Sequence, residues 1–172
     1  MSIQKKLPLI ITGVSVSILL LSAAIFPRVL PLLVKNFSSS EKRGFYVVRD
    51  IKRDITRGEL LLVKFPEQAK PYVEMMPWLN ENIPLLKRVG AVSQDLVCQK
   101  DGVLTVNGEV LVRVKKEDRL GRELFSKKGC YQVPDGEFLP INTYSEDSFD
   151  GRYFGSISTR LIVGRAHPII TF

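Results

Sequence analysis

The chain has 172 residues, with 25 Lys and Arg against 18 Asp and Glu, and its formal net charge at pH 7 is +7. This length allows one membrane segment and one soluble domain with a proper core. The basic residues are interleaved with acidic ones, as at residues 115–119, and form no dense stripe or known nucleic-acid motif. We therefore expect no nucleic-acid partner, and interpret the charge as that of a domain held close to an anionic lipid surface.

Residues 7–27 are uncharged and rich in Leu, Ile and Val, and a helix of this length spans a hydrocarbon core of about 30 Å. Lys5 and Lys6 precede the run, which weakly favours a cytoplasmic amino terminus. The small residues at 22–24 leave a cleaved signal peptide as the alternative, but the run is longer than the apolar part of most signal peptides. We therefore predict an uncleaved, single-pass anchor in the inner (cytoplasmic) membrane.

Either alternative places the rest of the chain outside the cytoplasm. The predicted organisation has four parts: a cytoplasmic amino terminus (1–6), a transmembrane anchor (7–27), a linker (28–35) and a periplasmic domain (36–172).

The two cysteines agree with an oxidising compartment. Cys98 and Cys130 are an even pair and are candidates for one disulfide, the alternative being two buried free thiols. Their spacing fits no zinc pattern, and His167 is the only histidine. We therefore predict neither a metal site nor a cofactor.

Beyond the anchor, the sequence reads as short strands separated by turn residues. The dipeptide Asn107-Gly108 is the strongest hairpin signal and lies within a β-meander. A short helix is predicted over residues 66–72. The predicted strands are residues 45–48, 58–65, 85–92, 96–99, 103–106, 109–114, 137–141, 152–157 and 161–163. We predict a mostly-β, antiparallel domain, barrel-like or folded over on itself, tethered by one amino-terminal transmembrane helix.

Three adjacent hydroxyls at residues 38–40 are candidate nucleophiles, although such a cluster beside a membrane segment is usually only a polar linker. A serine attacks a carbonyl only when a base takes its proton. His167 stands close to the carboxyl terminus and is interpreted as structural or solvated. Lysine serves as a base when burial lowers its pKa, and Lys87 lies in an apolar strand that would desolvate it. The alternative is a lysine on the exposed face of that strand.

Three stretches, in order behind the anchor, resemble the boxes of the type I signal peptidase superfamily of serine–lysine peptidases, and specifically its conjugative-transfer, TraF-type branch. Residues 36–46 are similar to the first box, N-x-T-x-S-M-P-x-G-x-Y, with Ser40 at the nucleophile position. Residues 87–89 match the K-R-V of the second box, which ends at Asp95. Residues 148–155 resemble the third box, S-x-D-S-R-Y-F-G.

This resemblance implies a serine endopeptidase in which Ser40 is the nucleophile and Lys87 is the general base. The oxyanion would be held by the backbone amide of Ser40 and a second hydroxyl. The resemblance assigns this second hydroxyl to Ser38. It also implies that Ser148 orients the Lys87 amine and that Asp150 and Arg152 form a bracing ion pair.

The resemblance also implies a substrate. In this branch it is a pilin precursor with small residues before the cleaved bond, and some members join the new ends of the pilin into a ring. We therefore expect the partners to be a pilin precursor or other exported polypeptide, the lipid bilayer and the conjugative secretion machinery. The alternatives are a general type I signal peptidase, and a catalytically inactive, membrane-anchored periplasmic assembly protein on the same scaffold.

The chain departs from the family pattern at three places. Glu41-Lys42 stands where the first box has Met-Pro, Ser93-Gln94 stands where Pro-Gly is expected, and Gly151 replaces the middle serine of the third box. None of these changes removes a residue named above. They predict a divergent member with altered substrate choice, or one that has lost activity.

Overall fold

The computed structural model describes residues 31–52 and 54–172, together with Ser15 and Ser17. The chain divides into two units, Met1–Leu32 and Leu33–Phe172, and the elements below belong to the second from Leu33 onward. The predicted amino terminus 1–6 and anchor 7–27 lie outside the described residues, apart from the two serines. Within the described part of the chain, no helix is long and apolar enough to cross a bilayer.

Residues 31–52 and 54–172 form eleven strands, one short α-helix and two 3-10 helices. The helical segments are α1 (Gly151–Phe154) and the 3-10 helices Glu67–Tyr72 and Thr159–Leu161. The strands are β1 (Leu32–Asn36), β2 (Gly44–Arg49), β3 (Leu60–Val63), β4 (Leu85–Val92), β5 (Leu96–Lys100), β6 (Val103–Val106), β7 (Glu109–Arg113), β8 (Gly129–Gln132), β9 (Glu137–Pro140), β10 (Ile157–Ser158) and β11 (Ile162–Thr171).

The strands build two sheets, one with the order β1-β2-β11-β3-β4-β9-β10 and one with the order β7-β6-β5-β8. The pairs from β2 to β10 in the larger sheet, and all pairs of the smaller one, are antiparallel. The prediction of a mostly-β, antiparallel domain is therefore confirmed. The β-meander around Asn107-Gly108 is also present, as β5, β6 and β7.

Strand β3 lies at the centre of the larger sheet and is buried on both faces. Leu60 and Leu62 pack into one cluster with Tyr46 of β2, and Leu61 and Val63 pack into another. An unbroken apolar run is what a strand covered on both sides requires, because successive side chains point to opposite faces. This burial matters for the site, since β4 pairs directly with β3 and carries the candidate base into the interior.

The strand predicted over residues 152–157 is wrong. Residues Gly151–Phe154 form helix α1, and only Ile157–Ser158 pair as a strand. The helix begins at Asp150 because its side chain accepts a hydrogen bond from the backbone amide of Arg152. Gly155, with φ of 83°, ends it in a conformation that favours glycine.

Two strands were not predicted, and one is much longer than predicted. β1 begins at Leu32, inside the segment interpreted as a linker, and β8 contains Gly129 and Cys130, which give no alternating pattern. β11 has ten residues where the sequence indicated residues 161–163. Its outer half, with Pro168 and exposed apolar residues beyond it, lacks the alternation by which a half-buried strand is recognised.

Candidate active site

The turn that carries Ser40 joins β1 to β2 and is organised by one side chain, that of Asn36. Its Nδ2 donates to the carbonyl oxygens of Glu41 and Lys42, each at 3.0 Å. Its Oδ1 accepts from the backbone amide of Ser38 at 3.1 Å. Asparagine is suited to this task because its short amide mimics the backbone within a turn. The first box thus forms one compact turn, and Asn36 closes it.

Within this turn the hydroxyls of Ser38 and Ser40 contact each other, with 2.7 Å between their Oγ atoms. The backbone amide of Ser40 also donates to Ser38 Oγ, at 3.2 Å. Both serines line a cavity of about 550 Å³. Its other walls combine aromatic and charged side chains, among them Phe37, Trp78, Phe149, Lys115, Arg119 and Asp147. An extended peptide could therefore reach the Ser40 hydroxyl from solvent.

Lys87 lies on β4, opposite Leu61 of β3, and is only 4% exposed. Its Nζ donates to Ser148 Oγ at 3.0 Å. Burial lowers the pKa of the Lys87 amine to about 8, while the carboxylates of Asp150 and Glu41 act in the opposite direction. At pH 7 about a tenth of such amines are neutral, whereas an ordinary lysine has essentially no neutral fraction. The exposed-face alternative for Lys87 is therefore wrong.

Asn142 holds strand β4 on both sides of Lys87, and no pattern in the sequence indicated this role. Its Oδ1 accepts from the backbone amide of Arg88 at 2.9 Å, and its Nδ2 donates to the carbonyl oxygen of Leu86 at 3.0 Å. The side chain is fully buried. Because these bonds grip the residues before and after Lys87, they fix the direction in which its side chain leaves the strand.

Asp150 and Arg152 form a fully buried ion pair. Arg152 Nε donates to Asp150 Oδ1 at 2.8 Å, and both side chains are 0% exposed. Asp150 Oδ2 also accepts from the backbone amide of Asn142 at 3.0 Å. Arg152 in turn donates to the carbonyl oxygens of Asn142, Glu146 and Arg113 at 2.8, 3.1 and 3.2 Å. Buried charges require this degree of pairing. The pair fastens the loop before Ser148 to the end of β7.

A second ion pair involves one of the departures from the family pattern. Glu41, which follows Ser40, is 2% exposed, and its Oε2 accepts from Arg88 Nε at 2.7 Å. Arg88 follows Lys87 on β4. The ion pair therefore holds the turn of Ser40 against the strand of Lys87. At Glu41 the sequence indicated only a departure from the Met-Pro of the first box, and this contact was missed.

The residues named from the sequence are thus brought together in two groups. Ser38 and Ser40 share one turn, and Lys87 bonds Ser148 beside the Asp150–Arg152 pair. Ser40 and Lys87 make no direct hydrogen bond with each other in the described part of the chain; Ser40 Oγ bonds Ser38 and Lys87 Nζ bonds Ser148.

The two cysteines lie away from these groups, in the smaller sheet. Cys98 on β5 is directly opposite Cys130 on β8, and a disulfide joins them. The disulfide links β5 and β8 of this four-stranded sheet at one register position.

Comparison with known proteins identifies the family of this chain. The family model for signal peptidase, peptidase S26, matches residues 4–171. The chain therefore belongs to the signal peptidase, peptidase S26 family. Similarity to TraF proteins further assigns it to the conjugative-transfer branch, and the resemblance found in the sequence is confirmed.

Two of the TraF relatives differ in the share of each chain that the match covers. The plasmid transfer protein TraF of Escherichia coli is 37% identical over 91 residues, which are 51% of this chain and 51% of that protein. The chain thus matches about half the length of this relative. The conjugal transfer protein TraF of Agrobacterium fabrum is 30% identical over 148 residues, covering 80% of this chain and 81% of that protein.

Among solved structures, a crystal structure of signal peptidase I from Enterococcus faecalis is 17% identical. The match covers 66% of this chain and 97% of that one, with a TM-score of 0.42.

Proposed function

We propose that this protein is a membrane-anchored serine endopeptidase that cleaves a secreted pilin precursor for conjugative transfer, with Ser40 as nucleophile and Lys87 as general base. The observation that carries the proposal is the state of Lys87. Its amine is buried, hydrogen-bonded to Ser148 and lowered in pKa to about 8. A structural lysine gains nothing from such a position, because burying the ammonium is unfavourable. A base that must be neutral near physiological pH requires it.

In the first step, the neutral Lys87 amine takes the proton of Ser40 Oγ as this oxygen bonds the scissile carbonyl carbon. The carbonyl π electrons move to oxygen, which becomes the oxyanion of a tetrahedral intermediate. The Ser40 amide and the Ser38 hydroxyl are the proposed donors to this oxyanion. In the free protein this amide donates to Ser38 Oγ, so the oxyanion would replace that oxygen as its acceptor.

In the second step, the Lys87 ammonium returns its proton to the leaving amine as the carbon–nitrogen bond breaks, and an ester to Ser40 remains. Water, activated by the same amine, then hydrolyses the ester. Alternatively, the amino group of the pilin itself attacks the ester carbonyl carbon. The bond to Ser40 Oγ breaks, the proton of the amine passes through Lys87 to that oxygen, and a cyclic pilin results. Ser148 orients the Lys87 amine in both steps, since it holds the amine at 3.0 Å.

Among the residues that the structure describes, no direct hydrogen bond joins Ser40 and Lys87, and this is compatible with catalysis. Hydrogen bonds of catalytic groups are often long or misaligned without substrate and tighten when it binds. We expect the bound peptide to accept the hydrogen bond of the Ser40 amide in place of Ser38 Oγ. The contact between the Ser38 and Ser40 hydroxyls is then lost, and the Ser40 hydroxyl is free to turn toward Lys87.

The location and partners complete the proposal. The anchor at residues 7–27 would hold the catalytic domain on the periplasmic side of the inner membrane, beside exported precursors. The relatives are plasmid and conjugal transfer proteins by name, which supports a precursor from the conjugation machinery over secreted proteins in general.

The proposal is tested by mass spectrometry of the candidate pilin from cells that carry wild-type, Ser40→Ala or Ser39→Ala protein. We expect uncut precursor to accumulate with Ser40→Ala and normal mature pilin with Ser39→Ala. Ser39 is a matched control because it is exposed and makes no hydrogen bond to the described residues. A mature pilin about 18 Da lighter than the linear chain, the mass of one water, would identify cyclisation.

Identical mature pilin from all three strains would overturn the proposal and favour the inactive assembly protein. Accumulation of many unrelated precursors with Ser40→Ala would instead indicate a general signal peptidase.

A further inference from the structure

The ion pair between Glu41 and Arg88 joins the two segments on which the proposed function depends. Glu41 is the residue after Ser40, and Arg88 is the residue after Lys87. Glu41 is almost fully buried, at 2% exposure, and its carboxylate accepts from Arg88 Nε at 2.7 Å and from the Lys42 amide at 3.1 Å. Arg88 also donates through Nη1 to the carbonyl oxygen of Gly58 at 3.1 Å. The pair is therefore fixed at both ends.

A buried carboxylate at this position needs a reason. Burying Glu41 without a partner would be strongly unfavourable, and with one it is roughly neutral against an apolar side chain. Stability alone thus does not explain why a charged pair occupies the place where the family's first box has methionine. The geometry offers another explanation, since Arg88 fixes a carboxylate whose charge acts on the Lys87 amine.

We propose that Glu41 and Arg88 are positioning residues that hold the Ser40 turn against β4, and that Arg88 compensates the Glu41 carboxylate, whose charge acts on the Lys87 amine. This inference rests on the proposed function, because it assigns the pair a role in the proposed Ser40–Lys87 reaction. The pair touches neither the reacting bond nor the proton. It acts through Ser40 and Lys87, which do.

Three charged groups act on the pKa of Lys87. Asp150 and Arg152 face it from the start of α1, and Glu41 faces it from the Ser40 turn. Arg88 lies on the same strand as Lys87 and is paired with Glu41, and the neighbouring strand β3 contributes only apolar side chains. The phenol of Tyr46 on β2 is close enough to Glu41 and Arg88 for their charges to act on its pKa. Of these groups, Glu41 and Arg88 are the pair that can be changed without disturbing the Asp150–Arg152 pair.

Opposite substitutions in the pair are expected to move the titration of Lys87 in opposite directions. Glu41→Gln removes an anion that favours the ammonium, so the midpoint falls by about half a pH unit or more. Arg88→Gln leaves that anion uncompensated, so the midpoint rises. The double variant removes both charges and is expected to return close to the wild-type value.

Two readouts separate this inference from the proposed function. The first is NMR titration of the Lys87 side chain in full-length Ser40→Ala protein in detergent, alone and with each pair substitution, which needs no cleavage. The second is the pH dependence of precursor cleavage with Ser40 present. There we also expect each single variant to be roughly tenfold slower at its plateau, because the turn is no longer tied to β4.

The matched control is Arg57→Gln, which breaks the ion pair of Arg57 with Asp95 beyond the far end of β4. It is expected to leave the Lys87 titration unchanged. Shifts of the same sign in both single variants, or no shift in either, would overturn the inference and reduce the pair to a structural brace. If the Lys87 titration shifts as expected in the pair variants but the protein cleaves no precursor at any pH, the proposed function alone is overturned.

Discussion

Lys87→Met is expected to abolish precursor cleavage, by about 10³-fold or more, and at the same time to raise the free energy of unfolding at pH 7 by about 2 kcal/mol. In the proposed mechanism cleavage is lost because methionine cannot take the proton of Ser40. Stability rises because the wild-type protein must bury an ammonium. Loss of activity with a gain of stability is the signature of a residue retained for chemistry.

The sign follows from the two pKa values. The pKa of Lys87 is about 8 in the folded protein and 10.5 is the ordinary value, which we take for the unfolded chain. A lowered pKa means that the folded state holds the proton less well, so folding is penalised at every pH below about 8 and the penalty disappears as pH rises toward 10.5. The difference corresponds to about 3 kcal/mol, and loss of the Ser148 hydrogen bond returns about 1 kcal/mol.

Denaturant unfolding of full-length protein in detergent, at neutral and at alkaline pH, measures this effect. The advantage of Lys87→Met is expected to shrink above about pH 10. Lys100→Met is the control: Lys100 lies exposed on β5, and the change is expected to stay within about 0.5 kcal/mol. A Lys87→Met protein that is less stable than wild type at pH 7 would contradict a buried, unfavourably charged amine.

Arg152→Met is expected to lower the free energy of unfolding by about 4 kcal/mol. The substitution leaves Asp150 as a buried carboxylate without its cation, and it also removes donors from the carbonyl oxygens of Asn142 and Glu146. Unfolding by denaturant measures the loss directly. In protein that remains folded, the Lys87 titration is expected to move to higher pH, because Arg152 lowers the pKa of that amine.

The comparison variant is Arg119→Met, which breaks an ion pair with Asp147 in which the arginine side chain is 70% exposed. An exposed pair contributes less than about 1 kcal/mol, so the loss should be small. A second comparison is the double variant Asp150→Asn/Arg152→Met, which removes both charges and should recover part of the loss. Equal destabilisation by Arg119→Met and Arg152→Met would show that burial of the Asp150 pair is not what makes it important.

The sequence predicted the features that local pattern determines. The apolar runs predicted β3 and β4, and turn chemistry predicted the hairpin at Asn107-Gly108. All three features are present. Helix α1 was missed because its Arg-Tyr-Phe sequence favours a strand, while a single cap at Asp150 starts a helix instead.

The site was predicted only where the family's boxes name residues. Asn142 and the Glu41–Arg88 pair went unseen because they act across 54 and 47 residues of chain, and neither lies at a spacing that a strand or helix repeat would indicate. Burial of Lys87 also depends on residues that are distant in the sequence. The apolar neighbours made it plausible, but β3 and the segment around Ser148, which cover the amine, are set by the fold.

The pH dependence of precursor cleavage by the wild-type protein is the most direct test that Lys87 is the base for Ser40. In the proposed mechanism the neutral amine is the active form, so kcat/KM is expected to be low below about pH 7, to rise tenfold per pH unit, and to level off above a midpoint near 8. A rate that is flat between about pH 6 and pH 10, or that falls across this range, would contradict a lysine base.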